Sequence, residues 1–486
     1  MSRSHRAARN VIVTLVTQLL MWSLSFSVTL FVPGYLKDTG LGTLTLVGSF
    51  AALFAILVTL GTSQVVVKEI ARDHSRLSEL IWASLMMRTV LGLGAILIGW
   101  LVSFLLGYSH ELQRLIVIAL CVMVLGGVAE VLSNALGGLE EFPKQNACSL
   151  AERVIAGVVT IGLVVFHQPL WKFVAVGLVS NSVLLISNLY MLRGHLTRIS
   201  LPQWSTIRTL SRSGVPFLMV GVFGAIYGQC DPLILAKISG VAAIGWYGLA
   251  KRLGGTTMVI PTALTVTTLP TLSRMYKEDQ DSFRKAIRRL FNLMVICVIP
   301  IAAVLILAPG QILSFLHYPA SYRHSIPVFM LMGSALILWF LSQAVGTALI
   351  ASDRQAVFSR ITGIAAVAAI PLCTLCIFVT ERTMANGAVG AMFADASLEL
   401  FIVIAYMRAL PEGIFEWRLF SLMGRTAIAA LPFALSLYLM RSGRDVLLPL
   451  AGLVLYAVAC FWLRCLTPQD LNAVRQSLSR FSRARA

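Results

Sequence analysis

Four positively charged side chains, Arg88, Arg153, Lys251 and Arg252, lie inside long apolar stretches of the 486-residue chain. A cation at the centre of a lipid bilayer costs at least roughly 2.5 kcal/mol, so such residues usually face a cavity or a charged partner. Arginine presents a planar fork of donors that matches phosphate, and lysine adds a compact positive charge. These residue types in this setting predict a site that binds an anionic cargo within a membrane.

Structural roles remain open for some of these cations. Arg153 can instead form an ion pair with Glu130 or Glu152. Lys251 and Arg252 are adjacent, and successive side chains on a helix diverge by about 100°. We therefore expect that both cannot point equally into one cavity and that one of them has a structural role.

The elements that must position these residues are transmembrane helices. The chain is 58% hydrophobic and only 12% charged, whereas soluble domains carry about 25% charged residues, which excludes a water-soluble fold. Apolar stretches, about fourteen in number, run from Asn10 to Leu466, and each is long enough to cross a bilayer as a helix. The predicted fold is an all-α polytopic membrane protein with about 14 transmembrane helices.

Basic residues alternate between the two sides of these stretches. About 27 Lys and Arg residues lie at the two ends and in every second break, against about 8 in the opposite breaks, which places both termini in the cytoplasm. The net charge of +18 reflects this orientation and not nucleic-acid binding, because the basic residues are not gathered in one patch. Basic amphipathic stretches at Phe283–Phe291 and Leu471–Phe481 are expected to lie on the anionic leaflet.

A short internal repeat indicates a duplicated architecture. Tyr35–Gly40 joins the first two stretches, and Leu235–Gly240, 200 positions later, joins the seventh and eighth; each copy has a Lys followed by a Gly at the turn. Six stretches precede the long break at 193–212, and six follow it before a final pair. We therefore predict two six-helix lobes at 1–200 and 201–410, an extra transmembrane hairpin at 411–466 and a basic cytoplasmic tail at 467–486. Pro261 and Pro270 are expected to divide the eighth stretch.

The motifs of enzymes and nucleotide-driven pumps are missing from the sequence. No histidine lies with cysteines or carboxylates at metal-ligand spacing, and no G-x-x-x-x-G-K-[ST] loop is present. Cys373 and Cys376 form a C-x-x-C pair, which we interpret as small helix-packing residues and not as a redox or metal site. The sequence therefore predicts neither an enzyme nor a bound cofactor.

Four segments in order resemble the polysaccharide-flippase branch of the MOP (MATE-like) exporter superfamily, the Wzx-type O-antigen and repeat-unit translocases. They are KEIARD (Lys68–Asp73), GLEEFPKQNACSLAERVI (Gly138–Ile155), CDPLILAKISGVAAIGWYGLAKRL (Cys230–Leu253) and IPTALTVTTLPTLSRMY (Ile260–Tyr276). The first segment departs from the family pattern, since Lys68 replaces the first Arg of R-E-I-A-R.

This resemblance implies two lobes that rock between inward-open and outward-open states around a central cavity. The implied cargo is an undecaprenyl-diphosphate-linked oligosaccharide, moved from the cytoplasmic to the outer leaflet of the bacterial inner membrane for O-antigen, exopolysaccharide or capsule assembly. The cavity cations Arg88, Lys251, Arg252 and Arg153 would then bind the diphosphate. The implied partners are this lipid-linked substrate, the bilayer and polysaccharide assembly proteins, with no nucleic acid.

The resemblance also implies exchange of cargo for cations, which requires a carboxylate that binds Na⁺ or a proton. The candidates are Asp395, Glu399, Glu130 and Asp231. Asp395 and Glu399 share a helix face at a spacing of four residues and repel each other unless one is neutralised. Cation coupling and salt bridges to facing cations both remain open for this pair. Asp231 precedes Pro232 and can instead cap a broken helix.

Three other functions remain open. The lipid II flippase also has fourteen spans. A multidrug exporter of the same superfamily would carry cationic drugs and should have a net acidic cavity, whereas this chain is predicted to have a basic one. A membrane polysaccharide polymerase would need a large outer loop, and the outer breaks of this sequence are short.

Overall fold

The computed structural model describes residues 3–195, 203–411, 417–440, 447–463 and 465, and their side chains except at 3–19, 22, 25, 26 and 417–422. Every regular element in this part of the chain is a helix. In chain order the α-helices are α1 (Arg3–Thr59), α2 (Thr62–Arg72), α3 (Leu77–Leu105), α4 (His110–Gly138), α5 (Phe142–Val165), α6 (Leu170–Leu192), α7 (Trp204–Ile238), α8 (Val241–Thr256), α9 (Val259–Glu278), α10 (Gln280–Leu307), α11 (Pro309–Phe315), α12 (Ile326–Ala351), α13 (Gln355–Met384), α14 (Gly387–Ala409), α15 (Trp417–Ala429), α16 (Leu431–Leu439) and α17 (Leu447–Trp462). Two 3₁₀ turns, His74–Arg76 and Ala320–Ser325, precede α3 and α12.

The predicted fold class is confirmed. Ten of the helices in the described residues are long and apolar enough to cross a bilayer, and two shorter apolar helices lie at Met423–Leu439 and Leu447–Trp462. The number is below fourteen for three reasons: the first two predicted stretches lie on α1, the eighth is split between α8 and α9, and the last two are short. The tail predicted at 467–486 lies outside the described residues.

The chain forms two compact units, and the first, Met1–Ala236, is built around α4. Helix α4 packs against α6, α3 and α1, and α5 packs against α1 and α6. Small residues permit this close approach. A Cβ added at Gly92 of α3 would lie 2.8 Å from the Val124 side chain, and one at Gly177 of α6 would lie 2.2 Å from that of Val122.

In the second unit, Lys237–Ala486, helix α12 is central and packs against α8, α9, α10 and α14. Helix α13 packs along α14, and α15 and α16 pack on α10. Glycines again mark the tightest contacts, because a Cβ at Gly254 would lie 2.2 Å from Met332 and one at Gly390 would lie 2.3 Å from the Cys376 carbonyl oxygen. The lobe boundaries at 200 and 410 stay a prediction.

The two copies of the internal repeat turn at different positions. Helix α1 departs from helical geometry at Lys37 (φ 57°, ψ −174°), whereas the second copy turns at Gly240 (φ 83°, ψ 179°) just before α8. The two turning residues adopt similar backbone angles, but Gly40 lies within helix. The first turn is therefore not on the glycine that the aligned motif suggested, and Lys37 occupies a region of φ that favours glycine.

The eighth predicted stretch consists of two helices. Helix α8 ends at Thr256 and α9 begins at Val259. Pro261 has no N–H to donate, and in a continuous helix its ring would clash with the carbonyl four residues earlier, at Thr257, which favours a kink or a break just before this point. Pro270 lies inside α9. The break thus falls next to the first of the two prolines.

Candidate functional site

In the second unit, helices α8 and α14 hold an ammonium and a carboxylate together. The Nζ atom of Lys251 donates to Oδ2 of Asp395 at 3.0 Å. Tyr247 lies one turn before Lys251 on α8, and its hydroxyl accepts a hydrogen bond from Lys251 while donating to the same Asp395 oxygen at 2.8 Å. The Lys251 Nζ also lies 4.9 Å from the Tyr247 ring centroid. The three residues form one closed hydrogen-bonded group.

The members of this group differ in their access to the surface. The side chain of Asp395 is 5% exposed, whereas that of Lys251 is 26% exposed. Glu399, one turn further along α14, is also buried, as is Tyr247. The carboxylates are therefore enclosed by helix packing, while the lysine reaches accessible surface.

Arg252, the next residue on α8, differs from Lys251 in its contacts. Its side chain is half-buried, and it forms no hydrogen bond or ion pair with another residue that the structure describes. Its charge lies within electrostatic reach of the Tyr322 hydroxyl, in the 3₁₀ turn that packs against α8. Tyr322 is fully buried. Among the described residues, therefore, no ion pair has to break before this guanidinium can bind an anion.

In the first unit, Arg88 of α3 is buried and is held by α2 and α4. Its Nη1 donates to Glu130 Oε2 at 3.0 Å and to the Gly127 carbonyl at 2.6 Å, and its Nη2 donates to Ser63 Oγ at 2.7 Å. The Ser63 hydroxyl in turn donates to Glu130 Oε1 at 2.8 Å. Asn134 also donates to Glu130 Oε1. Arg88 must therefore leave a formed ion pair before it can bind a cargo.

The remaining predicted residues lie in separate places. Arg153 has a side chain that is 56% exposed, and of its two candidate partners it lies near Glu152, with Nε 3.5 Å from Oε2. Asp231 is buried in α7 and accepts a hydrogen bond from the Cys230 thiol at 3.4 Å. The assignment of these residues to diphosphate binding and cation coupling stays a prediction.

Three side chains in these groups, Tyr247, Ser63 and Asn134, were not among the candidates predicted from the sequence. Tyr247 could have been found, because it precedes Lys251 by four residues and residues at this spacing are neighbours on a helix. Ser63 carries no such signal. Its position depends on the break between α1 and α2, which brings it beside Arg88.

The chain was compared with protein families and with solved structures. A family model described as "Polysaccharide biosynthesis protein" matches residues 35–327. Among solved structures, the lipid II flippase MurJ in an inward closed conformation has a TM-score of 0.70 at 12% identity, over 94% of this chain and 99% of that chain.

Two transporters of the MOP superfamily are also similar in fold. A multidrug resistance MATE family transporter in an inward-facing conformation has a TM-score of 0.65 at 16% identity, over 82% of this chain and 97% of its own. A transporter from Pyrococcus furiosus, described as having a binding pocket of reverse polarity that suggests a different function, has a TM-score of 0.56 at 14% identity, over 83% and 95%. No curated protein matches the sequence.

The match covers more than half of the chain and includes all four motif segments in full. The resemblance inferred from those segments is confirmed for the family, and the solved structures confirm the fold. The chain belongs to the polysaccharide biosynthesis protein family and has the fold of the MOP-superfamily transporters.

Proposed function

We propose that the protein is a flippase that moves a diphosphate-bearing, lipid-linked oligosaccharide from the cytoplasmic to the outer leaflet by alternating access. The family supports a role in polysaccharide biosynthesis, and the fold is shared with solved transporters and a lipid II flippase. The pathway would be assembly of O-antigen, exopolysaccharide or capsule. The protein would lie in a bacterial inner membrane with both termini in the cytoplasm, in keeping with the distribution of basic residues between the breaks.

The observation that carries this proposal is the guanidinium of Arg252, for which the described part of the chain provides no ion-pair partner. A positive charge in an apolar helix is costly, and such residues usually serve a ligand or a partner. Arg252 has no ion-pair partner in the described residues. Its planar fork of donors can form two charge-assisted hydrogen bonds to a phosphate. The sugars would remain in water and the prenyl chain in lipid, so that the protein shields only the charged head.

The other candidate cations would contribute in different degrees. Lys251 reaches accessible surface beside Arg252 but is already bonded to Asp395. Arg88 would have to separate from Glu130, and Arg153 lies exposed on α5. We therefore rank Arg252 first as a diphosphate ligand, with Lys251 second. Polysaccharide assembly proteins would be partners at the cytoplasmic loops.

The competing function is that of a multidrug exporter. The two functions differ in the charge of the preferred ligand, which is negative for the flippase and positive for the drug exporter. Binding should be measured on purified protein in detergent with a prenyl diphosphate, the matching prenyl alcohol and a cationic dye. We expect the prenyl diphosphate to bind more tightly than the alcohol, and the dye to bind weakly. Preference for the dye, or equal affinity for diphosphate and alcohol, would overturn the proposal.

Variants of Arg252 test whether this side chain binds the prenyl diphosphate. A hydrogen bond to a charged group contributes about 1.5–3 kcal/mol, so Arg252→Ala should weaken prenyl diphosphate binding by roughly 10- to 100-fold. Arg252→Lys should retain part of the affinity, because the charge remains but the fork is lost. Arg323→Ala, at an exposed position of the neighbouring 3₁₀ turn, is the matched control and should bind normally.

A further inference from the structure

We infer that Lys251 is a tethered counter-cation: its ammonium occupies a monovalent-cation site formed by Asp395 and Tyr247, and its removal opens that site to Na⁺ or to a small alkylammonium ion. The inference concerns the second unit alone and does not depend on the identity of the cargo. It also addresses the coupling role considered for Asp395, because a site that a lysine fills has no need of an external cation.

The geometry of the ammonium supports this assignment. Its nitrogen is bonded to two oxygens, the Asp395 carboxylate at 3.0 Å and the Tyr247 hydroxyl. The Tyr247 hydroxyl donates its own hydrogen to Asp395, so its oxygen is turned to accept from the cation. A carboxylate and a phenol oxygen directed at one point are hard oxygen ligands, which suit small hard cations.

The burial of the Asp395 carboxylate explains why the position must hold a cation. Charged or titratable residues on the elements packed here are Lys251 and Arg252 on α8, the buried Asp395 and Glu399 on α14, and the exposed Arg323 and His324 of the 3₁₀ turn beside α8. Helix α12, which packs against both helices, contains no charged residue in its sequence. Without Lys251 the Asp395 carboxylate, whose side chain is 5% exposed, would lose the ammonium bonded to it, which is strongly unfavourable unless another cation enters.

The covalent tether explains why an external ion does not compete with the lysine. The ammonium is carried on α8 one turn from Tyr247, so its effective concentration at the site is far above that of a dissolved ion. The buried position of the Asp395 side chain further limits entry of hydrated sodium. The wild-type protein should therefore show no sodium binding that depends on Asp395.

The test compares the melting temperature of purified protein in NaCl and in choline chloride at equal ionic strength. The wild-type protein should melt at the same temperature in both salts. Lys251→Ala should be stabilised by Na⁺ or methylammonium in a saturable way, by roughly 3 to 8 °C. This response should disappear in the double variant Lys251→Ala/Asp395→Asn. Lys172→Ala, which removes a lysine that is bonded to Gln168 in the first unit, is the control and should respond like the wild type.

Two results would overturn the inference. One is sodium stabilisation of the wild-type protein that Asp395→Asn abolishes, since the site would then already hold an external ion. The other is a folded Lys251→Ala that responds to none of Na⁺, K⁺ and methylammonium. If Lys251→Ala does not fold, Lys251→Met/Asp395→Asn decides the matter: recovery of the fold supports the charge explanation, and a failure to recover contradicts it. None of these measurements uses a cargo, so they can fail while the flippase proposal stands.

Discussion

The guanidinium of Arg88 lies 3.0 Å from the carboxylate of Glu130, and the two partners differ sharply in exposure. The Arg88 side chain is 1% exposed, whereas that of Glu130 is 44% exposed. Loss of either partner breaks the same ion pair, but only the loss of Glu130 leaves a fully buried charge without its counter-ion. The pair therefore joins α3 to α4, but the two residues should differ in the stability that is lost when each is replaced.

Glu130→Ala should consequently destabilise the protein more than Arg88→Ala does. Removal of one partner from a buried ion pair costs about 3–5 kcal/mol, and we expect Glu130→Ala to approach that range. Arg88→Ala should cost less, because the carboxylate that it leaves unpaired is 44% exposed and not enclosed by the protein. Arg88→Met/Glu130→Gln should recover much of the stability, and the exposed Arg153→Ala is the control. Thermal unfolding in detergent measures all four; equal losses for the two single variants would contradict this account.

Gly61 supplies a second prediction, at the break between α1 and α2. Its φ of +67° favours glycine, and a Cβ there would lie 2.5 Å from both the Gly214 carbonyl oxygen and the Leu218 nitrogen of α7. Gly61→Ala should therefore destabilise the protein by about 1–3 kcal/mol. Gly224→Ala, on the same helix α7 with nothing within 4 Å of an added Cβ, should be neutral or stabilising. A melting temperature for Gly61→Ala that matches that of Gly224→Ala would rule out the crowding explanation.

Asp279 caps the N-terminus of α10, outside the membrane-spanning segments. Its Oδ1 accepts hydrogen bonds from the backbone N–H groups of Asp281 and Ser282, and its Oδ2 accepts from the Ser282 hydroxyl. The hydrogen bonds from Ser282 are the main reason why the pKa of Asp279 lies below its ordinary value. Because the folded-state pKa is lowered, the cap is fully present above about pH 4 and is lost as the pH falls through the lowered value.

Hydrogen exchange at the amides of Asp281 and Ser282 measures this cap. Their protection should fall as the pH drops below about 4, and Asp279→Ala should remove it at every pH. Asp279→Asn keeps an oxygen acceptor but cannot titrate, so it should retain protection with a flatter pH profile. A wild-type profile as flat as that of Asp279→Asn would show that the carboxylate does not support the helix end.

The helices could be predicted from the sequence because a membrane span depends mainly on the length and apolar content of its own segment, and little on contacts with distant residues. The pairing of the buried charges could not be predicted from the sequence. Which carboxylate faces Arg88 depends on how α3 is rotated against α4. From the sequence, Glu130 was considered as a partner for Arg153 and not for Arg88. For Asp395, salt bridging to a facing cation was one of two alternatives, and the contact with Lys251 depends on how α8 and α14 pack. The turn at Lys37 was missed because its residue type does not favour the backbone angles found there.

Translocation in reconstituted liposomes is the most direct test of the proposed function. A fluorescent prenyl-diphosphate disaccharide is placed in both leaflets, and a membrane-impermeant reductant bleaches the label in the outer leaflet. The flippase proposal predicts rapid bleaching of the whole pool with wild-type protein and with Arg323→Ala, and at least roughly tenfold slower loss of the inner pool with Arg252→Ala. A wild-type rate no faster than that of protein-free liposomes, or an Arg252→Ala rate equal to the wild type, would contradict the account.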